Sequence, residues 1–319
     1  MNRALMLIPM AVVMAAAAPI DAAPPDSAVP ETDIIVEAER LTTEKAREKA
    51  RDYVRPVMPF NPEWGQYARF GKPICIRVHG IPDQAIVSQI TTRIAVIADE
   101  IGLQQARPGC RPNVIIAFTD DGAGLVARVR ARKPRAMPPF DSMLHARLAQ
   151  PELPVRWWHP LVSSGVAGGA GPIDTSMLAS ASSNGTPLGN LLPAGPGVIA
   201  TNNWNANLID TNLMVWANAA VAVVDVNHAQ GVPLDALTDY LAMVTLAPMR
   251  MPPFQTSVPT VLGLFEPGKR PTRLTDWDLA FLKGLYSVQM NRGALRQRQQ
   301  LVSAMARAMT SPDDEQATP

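Results

Sequence analysis

The stretch from Pro73 to Phe118 constrains the fold more than any other part of the sequence, because it carries both periods that a β-α-β crossover needs. Ile74, Ile76 and Val78 alternate with Cys75, Arg77 and His79, the period of a strand buried on one face. After Pro82, residues Ile86, Ile90, Ile94, Ile97 and Ile101 recur every three or four positions and form one apolar stripe, which Gly102 ends. Val114 to Phe118 is then an unbroken apolar run between Pro112 and Asp120, as in an interior strand covered on both faces. Strand, helix and strand of these lengths predict a right-handed parallel crossover. The expected fold class is α/β (α+β), a mixed sheet with a β-α-β unit and packed helices.

In a parallel crossover both strands begin at the same end of the sheet, which brings Cys75 toward the approach of Cys110. These are the only cysteines, and a disulfide between them is the economical reading; its loop closure contributes on the order of 3 to 4 kcal/mol on the entropic model. Two buried free thiols are the plainer alternative, while a metal site lacks two further ligands at suitable spacing.

Disulfides persist in oxidising compartments, and the first residues fit one. Arg3, the uncharged apolar run Ala4 to Ala18 and the small residues around Asp21, Ala22 and Ala23 read as a secretory signal peptide over residues 1–23. That run is too short for a bilayer, which takes about 20 apolar residues, and no longer one follows. The expectation is a periplasmic or secreted protein that is not an integral membrane protein.

Residues 24–32 read as a disordered Pro-rich spacer, 33–310 as a single α/β domain, and 311–319 as a disordered acidic tail. Ile34 to Val36 suggests a strand. Thr42 or Thr43 caps a helix with Ala46, Ala50 and Tyr53 on one face, stopped by Pro56 and Pro59. Helices are expected from Asp120 to Lys133 and from Ser142 to Leu148. Residues 163–200 hold eight glycines with prolines, serines and asparagines, a composition that predicts a long irregular loop, either mobile or a lid. Leu213 to Trp216 and Ala220 to Val226 read as strands. Pro233 opens a helix with Leu234, Leu237, Leu241 and Val244 on one face, and Pro248 closes it. Thr275 and Asp278 have capping-box spacing, and a last helix from Arg292 to Met309 turns Leu295, Val302, Met305 and Met309 inward.

Lys plus Arg number 29 against 28 Asp plus Glu, so no global field selects nucleic acid. The four histidines, 79, 145, 159 and 228, lie at least fourteen residues apart, which argues against a metal site and for no cofactor. No Gly-x-Ser-x-Gly elbow surrounds Ser163, Ser164 or Ser182, and the Gly165 to Gly171 segment lacks the lysine of a phosphate cradle. Asp235 and Asp239 share a helix face, with Asp225 and His228 just upstream. These groups can do acid/base work if they line a cleft; otherwise the two helix carboxylates complement the macrodipole and face water. Arg128, Arg130, Arg132, Lys133 and Arg135 suit an anionic surface, or a helix C-terminus. Trp157, Trp158 and His159 suit a stacking wall, or core packing.

The segments ARFGKPICIRVHG (68–80) and RPGCRPNVIIAFTDD (107–121), the helix Leu234 to Ala247 and LTDWDLAFLKGLY (274–286) resemble a group of uncharacterised secreted proteins of alphaproteobacteria. That group is remotely similar to a zincin-like domain of unknown function, in which a strand precedes a helix where a metallopeptidase carries His-Glu-x-x-His. The resemblance sets Thr238, Asp239 and Ala242 at those three positions, and neither Thr nor Ala there replaces a zinc-binding histidine. It implies a zincin-like pseudoenzyme with a degenerate metal-binding helix and non-catalytic binding or structural work. The expected partner is a periplasmic protein or ligand held by the Gly-rich loop and the cleft near His228 and Asp239, with Asp225, Asp235, His159 and Trp158 as further candidate binding residues. The alternatives are a hydrolase using Asp225, His228, Asp235 or Asp239, and an anionic-surface binder through Arg128 to Arg135.

Overall fold

The computed structural model describes residues 42–58, 65–138, 142–165, 182–183, 186–187, 211, 213–253, 255–268 and 271–310. The expected signal peptide, spacer, Ile34 to Val36 strand and acidic tail lie outside the described residues.

The crossover forms as its periodicity predicts. After a two-residue strand β1 (Arg69–Phe70), β2 (Ile76–His79) leads through α2 (Gln84–Glu100) to β3 (Val114–Thr119), and β2 pairs with β3 in parallel, Ile76 opposite Val114. Asp83 caps α2 by accepting from the Ala85 N–H at 2.8 Å, and Ile90, Ile94 and Ile97 are buried. Cys75 and Cys110 are joined in a disulfide with their Cα atoms 6.1 Å apart. Asn113 fixes the approach to β3, its Oδ1 accepting from the Cys75 N–H at 2.7 Å. Gly80 turns the chain off β2 at φ +85°, and a Cβ there would stand 2.0 Å from the Phe118 carbonyl oxygen, so only glycine fits.

Two strands missing from the sequence reading complete the sheets. β4 (Val155–Trp158) and β5 (Leu161–Gly165) pair antiparallel with β9 (Ala220–Asp225) and β8 (Leu213–Ala217), giving a four-stranded sheet β2-β3-β9-β4 and a three-stranded sheet β1-β8-β5. Trp158 faces Val221 and Leu161 faces Ala217, so three steps on one strand match four on the other. That extra residue is a β-bulge, and the two sheets share one antiparallel ribbon that bends there. The irregular stretch expected over 163–200 needs correction at two places. Ser163 to Gly165 belong to β5, and β6 (Ser182–Ser183) pairs with β7 (Thr186–Pro187). Pairing partners supply the backbone hydrogen bonds that local composition does not predict. The rest of the segment lies outside the described residues, and Gly165 is paired with Leu213.

Helices close the core. α1 (Thr43–Val57), capped by Thr42, carries Pro56 in its last turn instead of ending before it. α3 (Gly122–Arg132) is capped by Asp121, and α4 (Ser142–Leu148) follows a 3-10 turn at Pro134–Ala136. α5 (Leu234–Leu246) is buried on every side from Ala236 to Leu246, where one apolar face was expected, because it packs against β9 and α2 together. α6 (Asp276–Ser287) has the predicted capping box, and α7 (Ala294–Thr310) packs on α6 and α1. Leu295, expected inward, is 64% exposed, since Ala294, Gln297, Leu301 and Met305 set the buried face. Trp157 meets Tyr240 of α5 edge-on, while Trp158 donates to the Ala136 carbonyl at 2.7 Å. Successive strand residues point to opposite faces, so α5 covers one face of the four-stranded sheet and the turn after α3 the other. Among the described residues no helix is long and apolar enough to cross a membrane.

Candidate functional site

Asp225 ends β9 beside Thr119 at the end of β3, where α3 begins. Its Oδ2 accepts the Gly122 N–H at 3.0 Å, and its Oδ1 accepts the Asn227 N–H at 3.2 Å and His228 Nδ1 at 3.1 Å. Burial works to raise this carboxyl, but the hydrogen bonds from Gly122 and His228 outweigh it and hold the group below its ordinary value. Arg156 lies 3.8 Å away, wholly buried, its guanidinium donating to the carbonyls of Leu148, Leu153, Gln150 and Pro151. Gly122 is required by this packing, because a Cβ would come within 2.4 Å of Arg156 Nη1. His228 is oriented by the carboxylate, and its side chain is 41% exposed. Among the described residues no serine, threonine or cysteine is hydrogen-bonded to it.

The aspartates of α5 belong elsewhere. Asp239 is 2% exposed and accepts Arg93 Nε and Nη2 at 2.6 and 2.8 Å and the Leu274 N–H at 2.7 Å. It does not face water, and it does not join His228. Its hydrogen bond holds the Arg93 guanidinium above its ordinary value, against burial. Asp235 is exposed and accepts Gln89 Nε2 at 2.8 Å. The Asp235/Asp239 pair of α5 thus meets a Gln89/Arg93 pair of α2, each four residues apart. Thr238 donates its hydroxyl to the Leu234 carbonyl at 2.7 Å.

His159 and Trp158 are core residues, 6% and 2% exposed. His159 Nε2 donates to the Thr245 carbonyl at 3.2 Å, and burial pushes its imidazole down to about 4, with that hydrogen bond acting the other way. Of the six candidate binding residues, Asp225 and His228 come together, while Asp235 and Asp239 turn to α2 and His159 and Trp158 lie in the core. Among the described residues no group of three His, Cys, Asp or Glu side chains converges as a metal set would.

A concavity does open between α3 and α4, with a volume of about 370 Å³. Val126, Met137 and Leu148 form its buried floor, Ala127 and Ala131 its wall, and Arg130 and His145 are its polar groups. His145 Nε2 is 3.0 Å from the Pro138 carbonyl oxygen. Of the neighbouring cations, Arg128 reaches Asp121 at 3.2 Å, whereas among the described residues no carboxylate lies within 4 Å of Arg130, Arg132 or Lys133. Sequence reasoning found the arginines but missed the groove. Its signal is the spacing of Ala123, Val126, Ala127, Arg130 and Ala131, one face of α3 with small residues where packing would demand large ones.

No family model, curated protein or solved structure matches this chain.

Proposed function

We propose that the chain is an exported, non-catalytic binding protein on a zincin-like scaffold. The disulfide and the apolar leader support export. The run of β9 into a buried helix α5 supports the scaffold. One observation carries the reading: Asp239, which the resemblance sets at the place of a peptidase's general base, accepts three hydrogen bonds from Arg93 and Leu274 while Thr238 beside it bonds back to its own helix. Side chains so committed hold elements together and are not free to bind an ion or activate water. The test is elemental analysis of freshly purified protein alongside a peptidase screen with and without chelator. Substoichiometric zinc and no chelator-sensitive cleavage are expected, and stoichiometric zinc with such cleavage overturns the reading.

A hydrolase is the second reading, favoured by the 3.1 Å contact of His228 with Asp225. An imidazole oriented by a carboxylate is the arrangement of a general base. It requires a hydrolytic activity that His228→Ala removes without loss of folded protein; an activity insensitive to that substitution excludes it.

A further inference from the structure

We infer that the groove between α3 and α4 binds a single-chain anionic amphiphile, an acyl tail with a carboxylate or similar head. Ligand sites are mostly apolar concavities of roughly 300 to 1,000 Å³ with a few placed polar groups, and this groove, about 370 Å³, has that make-up. Its floor of Val126, Met137 and Leu148 offers nothing but hydrocarbon and thioether, so water gains no hydrogen bonds there. Ala123 to Ala131 spans eight steps of helix, about 12 Å at 1.5 Å per residue, which suits a medium-length tail laid along α3.

The charge at the lip selects the head group. Arg130 lines the groove and, like the adjacent Arg132 and Lys133, has no carboxylate within 4 Å among the described residues. His145 faces it from α4 with Nε2 turned to Pro138. A tail in the groove therefore brings its head to a guanidinium that has no carboxylate partner among the described residues and is able to make a bidentate bond. A neutral alcohol fills the floor equally well and gains nothing from Arg130. The groove is walled by two helices and takes one chain, which favours a monomeric amphiphile over a bilayer face.

The inference rests on the binding reading above, and the two fail separately: chelator-sensitive proteolysis removes that reading whatever the groove holds, whereas the groove is tested by titration. Decanoate and decanol are titrated into the folded protein below their micellar range, with Arg130→Gln, Ala127→Trp and Ala131→Leu as variants. Saturable decanoate binding is expected, at least tenfold tighter than decanol, reduced toward the decanol value by Arg130→Gln and abolished by Ala127→Trp. Ala131→Leu fills the same wall with a smaller side chain and guards against a folding defect in Ala127→Trp; it too must weaken binding. No decanoate binding, equal affinity for decanol, or binding that neither wall variant affects overturns the inference. Salt-sensitive pelleting with anionic vesicles, intact in Ala127→Trp and without decanoate binding, assigns the cationic patch to a membrane surface instead.

Discussion

His159 gives the chain a specific sensitivity to mild acid. The imidazole is buried at the end of β4 and spends Nε2 on the Thr245 carbonyl, and burial lowers its pKa from 6.5 to about 4. The unfolded chain takes up a proton near pH 6.5 while the folded chain refuses it until about pH 4. Stability on this account is complete above about pH 6.5 and falls as pH drops to about 4. The difference of roughly 2.5 units, at 1.36 kcal/mol each, amounts to about 3 kcal/mol. Urea unfolding of wild type and His159→Gln at pH 7.5 and pH 4.5 isolates the effect, since glutamine keeps a donor for Thr245 but does not titrate. The wild type is expected to lose roughly 2 to 3 kcal/mol more than the variant between the two conditions. Parallel losses would refute the reasoning, because they would show that His159 has an ordinary pKa or reaches water in the folded state.

Three other perturbations follow from the same structure. Replacing both Cys75 and Cys110 by serine opens a loop of sequence separation 35 and is expected to lower the unfolding free energy by roughly 2 to 4 kcal/mol, measured with and without reductant. Gly80→Ala puts a Cβ against the Phe118 carbonyl at a positive φ, so a loss of about 3 kcal/mol or more, or failure to fold, is expected in thermal unfolding. Asp225→Asn leaves the buried Arg156 without its carboxylate and weakens the bond to Gly122, a cost of roughly 2 to 4 kcal/mol. Because the Asp225 pKa is depressed, its stabilisation is present above about pH 4 and is lost as pH falls below that, a window beneath that of His159.

The parts of the fold that could be read from sequence are those in which local signals coincide with a tertiary period. The isoleucine stripe of α2, the alternation of β2 and the Thr275/Asp278 box each specify an element and its buried side, and each forms as read. β4 escaped notice because all four of its residues, Val155 to Trp158, are buried, so no alternation marks it. α5 misled for the same reason, being buried all round. Asp225, His228, Asp235 and Asp239 are near in sequence, which suggests a shared cleft that the fold does not make. The last two turn to α2 instead, and the matching Gln89/Arg93 spacing was the available clue. The small residues of α3 mark one helix face in the sequence, but the spacing alone does not say that the face stays open. Their meaning depends on where α4 lies.

Asp239 serves the scaffold, and the unfolding free energy of Asp239→Asn measures that role. An amide cannot accept all three hydrogen bonds that Arg93 and Leu274 donate, and the lost ion pair is half open to water on the Arg93 side, which is 44% exposed. A loss of roughly 2 to 4 kcal/mol at pH 7 is expected in urea. Groups kept for chemistry are held at a cost to stability, and their removal stabilises the fold. An Asp239→Asn protein as stable as wild type, or more so, would contradict the structural role.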